Sequence, residues 1–143
     1  MINVGPDRGI YVGLDLGKEE NHSAIVVLER FEQMPTDFAD VLRGVAIKIR
    51  YIVRYVERLA LGTPYTEVVA RLRRMIPQLE MWGTVVLVVD ESGVGVPVVE
   101  MLREVRIGCA VMPMVITSGQ QSTARTVPRA ELITKMQLMA LRG

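Results

Sequence analysis

The sequence predicts an α/β domain built on a mixed sheet, and three observations carry that expectation. Two short apolar runs, Ile10 to Leu16 and Val85 to Val89, are each marked by a carboxylate, Asp15 within the first and Asp90 just after the second. Hydrophobic runs of this length, the first interrupted by Asp15 alone, read as buried strands. Between them, Val45, Ile47, Ile49, Tyr51, Val53 and Tyr55 alternate with a set that includes Lys48, Arg50 and Arg54. That period of two predicts a strand with one face on the core and a basic face outward. Two later stretches space their apolar residues for helices.

Size and composition narrow the class. The chain has 143 residues, 50% of them hydrophobic and 23% charged, which suits one globular domain with a real core and not a disordered segment. A formal net charge of +1 supports neither a strongly basic nor an acidic partner binder, though a local patch can hide in that balance. The single Cys109 rules out an intrachain disulfide and fits a reducing cytoplasm. No apolar run is long enough to cross a bilayer, and no signal-peptide pattern opens the chain.

In chain order, residues 1–9 read as a lead-in arm, rich in turn residues. The strand over Ile10 to Leu16 closes at Gly17. A polar turn from Gly17 to His22 and a strand from Ser23 to Glu29 follow, so short a connection favouring an antiparallel hairpin. Phe31 to Gly44 is irregular, with Met34-Pro35-Thr36-Asp37 as its turn signal. After the alternating strand, Val45 to Val56, Thr63 is the expected N-cap of a helix with Pro64 at its first position. Tyr65, Val68, Val69, Leu72, Ile76 and Leu79 form its buried stripe, and Pro77 should end or bend it near Ile76. The strand at Val85 leads through Glu91-Ser92-Gly93-Val94-Gly95 into a helix with Val98, Val99, Leu102 and Val105 inward, stopped by Gly108. Cys109 to Thr117 is a strand and Ser118 to Val127 a polar loop. A last helix begins at Pro128, with Leu132, Ile133, Met136 and Met139 facing inward. The order is β-β-β-α-β-α-β-α, three antiparallel strands followed by a parallel crossover.

This order, with an aspartate near the end of the first strand and another at the end of the fourth, resembles the RNase H-like superfamily. The closest resemblance is to the nuclease domain of phage large terminase subunits and their prophage relatives. Gly13-Leu14-Asp15-Leu16-Gly17 is similar to the opening motif of that group, and Val88-Val89-Asp90-Glu91-Ser92-Gly93-Val94-Gly95 to the second. Leu61 to Tyr65 and Val127 to Leu132 also read like it, so that the resemblance spans residues 10–143. It implies an RNase H-like fold, a mixed five-stranded sheet with helices on both faces, and a single domain over 10–143 that is cut short at its C-terminus. It further implies a phage-derived, DNA-packaging context, with double-stranded DNA, an ATPase motor domain or other packaging proteins as partners.

The chemistry fits the residues independently. Metal-assisted phosphodiester hydrolysis uses carboxylates to hold two Mg²⁺ or Mn²⁺ ions about 4 Å apart, and such hard cations take oxygen ligands. Asp15 and Asp90 are the expected catalytic and metal-binding pair, the resemblance making their strands neighbours. Glu91 is a weaker ligand candidate, since strand alternation points it away from Asp90. Resembled nucleases carry a third carboxylate beyond the last helix seen here. Glu100 and Glu104 read as solvated helix residues and Glu131 as a partner of its own helix dipole, so the expected site is incomplete and its cleavage slow or absent.

From Arg43 to Arg74 there are eight basic residues against two acidic ones. Solvated charge explains such a run, and weak, salt-dependent DNA binding through Lys48, Arg50, Arg54 and Arg58 is the sharper expectation. His22 reads as a solvated turn residue, Cys109 and the methionines as core fillers, and Gly93 and Gly95 as tight-turn geometry. No Lys-Ser/Thr follows those glycines, so a P-loop is excluded. Two other functions share the first motif: a non-catalytic RNase H-like binding or assembly module, and a fragment of an actin-like ATPase, which needs two such domains. Binding of ATP, and metal-dependent cleavage, separate the three.

Overall fold

The computed structural model describes residues 8–17 and 20–142. The chain folds as β1 (Arg8–Asp15), β2 (Ala24–Gln33), α1 (Phe38–Leu42), β3 (Lys48–Arg58), α2 (Tyr65–Glu80), β4 (Thr84–Asp90), α3 (Gly95–Glu104), β5 (Ala110–Thr117), β6 (Thr126–Pro128) and α4 (Arg129–Arg142). It is an α/β protein with a mixed sheet of six strands, in the order β3-β2-β1-β4-β5-β6. β1, β2 and β3 are antiparallel neighbours, whereas β4, β5 and β6 run parallel to β1.

One face of this sheet holds the core. Ile10, Val12 and Leu14 of β1, Ile25 and Val27 of β2, and Val85, Leu87 and Val89 of β4 alternate inward, as period-two strands require. Val68, Val69, Leu72 and Ile76 of α2 and Val98, Val99 and Leu102 of α3 close over them. These are the helical stripes read from the sequence. On the other face Tyr11 is 36% and Met112 50% exposed, and Val26, Leu28, Val86 and Val88 stay half-buried.

Several expectations need correcting. The sheet has six strands, not five, because Thr126–Pro128, spanning the end of the expected loop and the expected first residue of the last helix, pairs with Val115–Thr117. Three residues are too few to show a period. A five-residue helix, α1, interrupts the stretch read as irregular; Asp37 caps it by accepting from the Ala39 N–H at 2.9 Å. α2 begins one residue later than expected, with Pro64 in the cap position, and Thr63 instead donates to the Ala60 carbonyl. It also continues through Pro77 to Glu80. Pro77 lies on the exposed side of α2, where water can satisfy the carbonyl that the proline leaves unpaired. α3 ends at Glu104, ahead of Gly108, with Arg106 in the left-handed region at φ 49°.

The largest correction concerns β3. It is an edge strand, and Ile49, Tyr51, Val53 and Val56 are 44–66% exposed, not packed on a core. Val45 and Ile47 precede the strand and are exposed too. α4 is likewise not inward-facing, with Ile133 49% and Met136 65% exposed; it packs beside β6. The helix layer expected on the second sheet face is therefore not formed among the described residues. The side chain of Met139 and most of the expected arm, residues 1–7, lie outside what is described, and Arg8 and Gly9 belong to β1.

Candidate functional site

β1 and β4 are parallel neighbours, registered from Gly9 against Thr84 through Leu14 against Val89. One residue further on each strand come Asp15 and Asp90, each the last residue of its strand. Leu14 and Val89 face the core, so alternation turns both carboxylates to the second face. Neighbouring strands run about 5 Å apart, which brings side chains in one row within reach of a shared ion. Asp15 is exposed and Asp90 half-buried.

The same row continues across the sheet. Asp15 pairs with Ala24 and Ala24 with Arg58, while Asp90 pairs with Met114 on the other side. Direct partners share a face, so Arg58 stands two strands from Asp15 on the carboxylate side. Of the four basic residues expected on nucleic acid, Arg58 alone is in this row. Arg54 is tied up elsewhere, its Nε 2.5 Å from Glu29 Oε2. Lys48 and Arg50 sit at the opposite end of β3, roughly 30 Å along the strand.

Local structure fixes the Asp90 side. The Ser92 N–H donates to Asp90 Oδ1 at 2.9 Å, an Asx turn that holds the carboxylate at the strand end. Ser92 Oγ lies between the Ile116 N–H and carbonyl, and the Glu91 N–H donates to the Met114 carbonyl at 2.8 Å. The turn is thereby stitched to β5. Gly95 is buried against it, and a Cβ there would run into the Asp90 carbonyl oxygen. This is the tight-turn role read for Gly95 from the sequence.

The Asp15 side is braced differently. The Gly17 N–H donates to Ser23 Oγ at 3.0 Å and Tyr65 Oη donates to the Gly17 carbonyl at 3.1 Å, tying the β1 exit to the start of α2. A Cβ on Gly17 would meet the Asn21 carbonyl. His22 is exposed as expected, with Nδ1 2.7 Å from the Leu59 carbonyl. A pocket of about 200 Å³ lies here, lined by Gly17, Ser23, Thr63 and Tyr65 among others; Asp15 is not part of its wall. Lys18 and Glu19, within the expected polar turn, lie outside the described residues.

Glu91 and Glu131 are paired elsewhere. Glu91 Oε2 is 3.0 Å from Arg125 Nη2. Glu131 accepts from Lys135 at 2.6 Å and from Ser122, contacts that hold its carboxyl below the usual range, Lys135 first. Glu100 and Glu104 are exposed on α3. Among the described residues no three Asp, Glu, His or Cys side chains converge as a metal-binding group. Cys109 is half-buried, and burial raises its thiol pKa, with the Glu80 charge adding to the effect.

Sequence reasoning missed one carboxylate altogether. Glu29, only 2% exposed, faces the core side of β2, with Arg8 Nε 2.8 Å from Oε1 and Arg54 on Oε2. Its charge made it look like the end of a strand that in fact runs on to Gln33. Tyr65 and Ser23 were read as core and strand residues; nothing local in the sequence signals their brace on Gly17. No family model and no curated protein compared with the chain matches it, so the geometry of the Asp15–Asp90 row carries the functional reading.

Proposed function

We propose that this is an RNase H-like domain of the terminase nuclease type, acting on phosphodiester bonds with Mg²⁺ or Mn²⁺. The observation that supports the reading is the register that puts Asp15 and Asp90 side by side on one sheet face, at the carboxyl ends of two parallel strands. Crevices outside such strand ends are where open α/β sheets take ligands. Among the described residues the Asp15 side chain has no hydrogen-bonding or ionic partner, and the Asp90 side chain has only the Ser92 N–H. Two neighbouring carboxylates left without a cation favour a divalent ion, and their oxygens suit a hard one. When bound, the metal would supply an activated water and stabilise charge on the leaving oxygen.

The chain's own groups have defined tasks in this reading. Asp15 and Asp90 would hold the ion. Ser92 orients the Asp90 carboxylate by donating its N–H to Oδ1, which keeps that side chain directed for the metal it would bind. Arg58, in the same row, meets a phosphate of the DNA backbone and makes binding fall with salt. With no third acid converging among the described residues, metal affinity would be low and turnover slow. That same absence favours a second reading, an RNase H-like binding or assembly module that holds metal and DNA without cutting.

Melting the protein with and without Mn²⁺ tests both. The ion should stabilise the wild type, by about 2.7 kcal/mol at a hundred times its Kd. It should leave Asp15→Asn and Asp90→Asn unmoved, and Asp15→Asn alone should be at least as stable as wild type without metal. Nicking of supercoiled DNA in Mn²⁺, lost in Asp90→Asn, selects the nuclease; a metal shift without nicking selects the binding module. No metal shift at millimolar Mn²⁺ ends both.

A further inference from the structure

Among the described residues β3 ends the sheet, so one side of its backbone is bonded to β2 and the other has N–H and C=O groups with no partner strand. Such an edge is a template for another strand. Its side chains are sorted by the register with β2. Ile49, Tyr51 and Val53, opposite Glu32, Arg30 and Leu28, form an exposed apolar row on the second face. Lys48, Arg50 and Ile52, opposite Gln33, Phe31 and Glu29, lie on the other.

Neither cation at this end is neutralised. Lys48 has no ionic partner among the described residues, and Arg50 Nε donates to the uncharged Gln33 Oε1 at 2.9 Å. Both line a polar pocket of about 160 Å³, together with Gln33, Thr36 and Asp40. Asp40 is itself 3.6 Å from Arg43. The usable edge stops at Val53. Val27 pairs with Tyr55 and Leu28 with Val53, so Arg54 is the extra residue of a β-bulge, and its charge goes to Glu29. A bulge twists the strand and ends regular pairing. Beyond it, Tyr55 and Glu57 are occupied by Arg71 of α2, at 3.0 Å each.

An edge with apolar side chains on one face and two open cations on the other selects its occupant by charge. A second copy of β3 would bring Lys48 and Arg50 close to the same cations, which disfavours self-pairing. We infer that Lys48–Val53 is a docking edge for an extended peptide strand that alternates acidic and apolar residues. Its apolar side chains would extend the row of Ile49, Tyr51 and Val53, and its carboxylates would reach Lys48 and Arg50. Backbone bonding supplies affinity and side-chain alternation supplies choice, the logic of strand addition. The site is at the opposite end of β3 from Arg58 and does not depend on the Asp15–Asp90 reading.

The test uses the full chain and a fluorescent octapeptide alternating Glu and Val, with a Lys-Val octapeptide and a short DNA duplex as controls. The Glu-Val peptide should bind, and binding should slow amide hydrogen exchange along Lys48–Val53. Lys48→Glu/Arg50→Glu should weaken it by about tenfold or more and should confer binding of the Lys-Val peptide. Both residues are surface groups, so the variant should fold, which circular dichroism checks. The inference is overturned if neither peptide binds, or if both bind alike. It is also overturned if the duplex alone binds through these cations without protecting the β3 amides. Concentration-dependent dimerisation that protects the edge in the absence of peptide would make it a self-association surface instead.

Discussion

The two faces of the sheet treat a carboxylate in opposite ways. On the core face Glu29 is almost wholly buried, and two arginines, half-exposed themselves, come to it from β1 and from the β3 bulge. On the second face Asp15 and Asp90 stand at neighbouring strand ends with no cation beside them among the described residues. A buried charge survives only when it is answered. The answered carboxylate is part of the fold, whereas the pair at the strand ends has no such counterion among the described residues.

The contrast can be broken most forcefully at Glu29. Arg8→Ala/Arg54→Ala leaves a buried carboxylate without a counterion and should cost about 3–5 kcal/mol in urea unfolding. Glu29→Leu removes the charge along with the need for partners and should be close to neutral. A large loss in Glu29→Leu would show that the triad stabilises beyond merely compensating itself.

The next comparison is between two consecutive residues of β4. Leu87 is fully buried under α2 and α3, and Leu87→Ala should cost about 2–5 kcal/mol. Val88 points to the second face and is half-buried, so Val88→Ala should cost less than about 1.5 kcal/mol. Equal losses would mean that something covers the second face in solution.

The smallest expected effect is at Glu131, on α4. Lys135 and Ser122 hold its carboxyl below the ordinary range, so its contribution to stability is present above that range. It is lost as pH falls through the lowered folded-state value. Wild type should melt slightly above Glu131→Gln at neutral pH, with the gap closing on acidification. A gap that persisted in acid would point to the Ser122 contact rather than to charge.

The buried half of the molecule was legible because unbroken apolar runs and helical stripes say both what an element is and where it faces. Val85–Val89, Val68–Ile76 and Val98–Leu102 all conform. β3 shows where that logic stops. Its alternation distinguishes two faces, but a period says nothing about which face, if either, is covered. Position at the sheet edge decides that, and position is a property of the topology. In the residues themselves the Asp15–Asp90 row is legible only as two similar motifs, and it is the resemblance that makes their strands neighbours; the register depends on β1 pairing with β4. The Glu29 triad was invisible because its members come from three strands, and one of them sits in a bulge that breaks the period.

That β1–β4 pairing also bears on how the molecule comes together in time. β1, β2 and β3 can zip as successive hairpins, each contact close along the chain. From the unfolded chain, β4 reaches β1 by closing a loop of about 70 residues, an entropic cost of about 4 kcal/mol plus a constant, which is smaller once the hairpins have formed. Such long-range pairings are slow to form. Asp15 and Asp90 become neighbours in that step alone. A Mn²⁺ signal that depends on both carboxylates would therefore time the closure of the sheet in a stopped-flow refolding trace, lagging behind the hairpins that precede it.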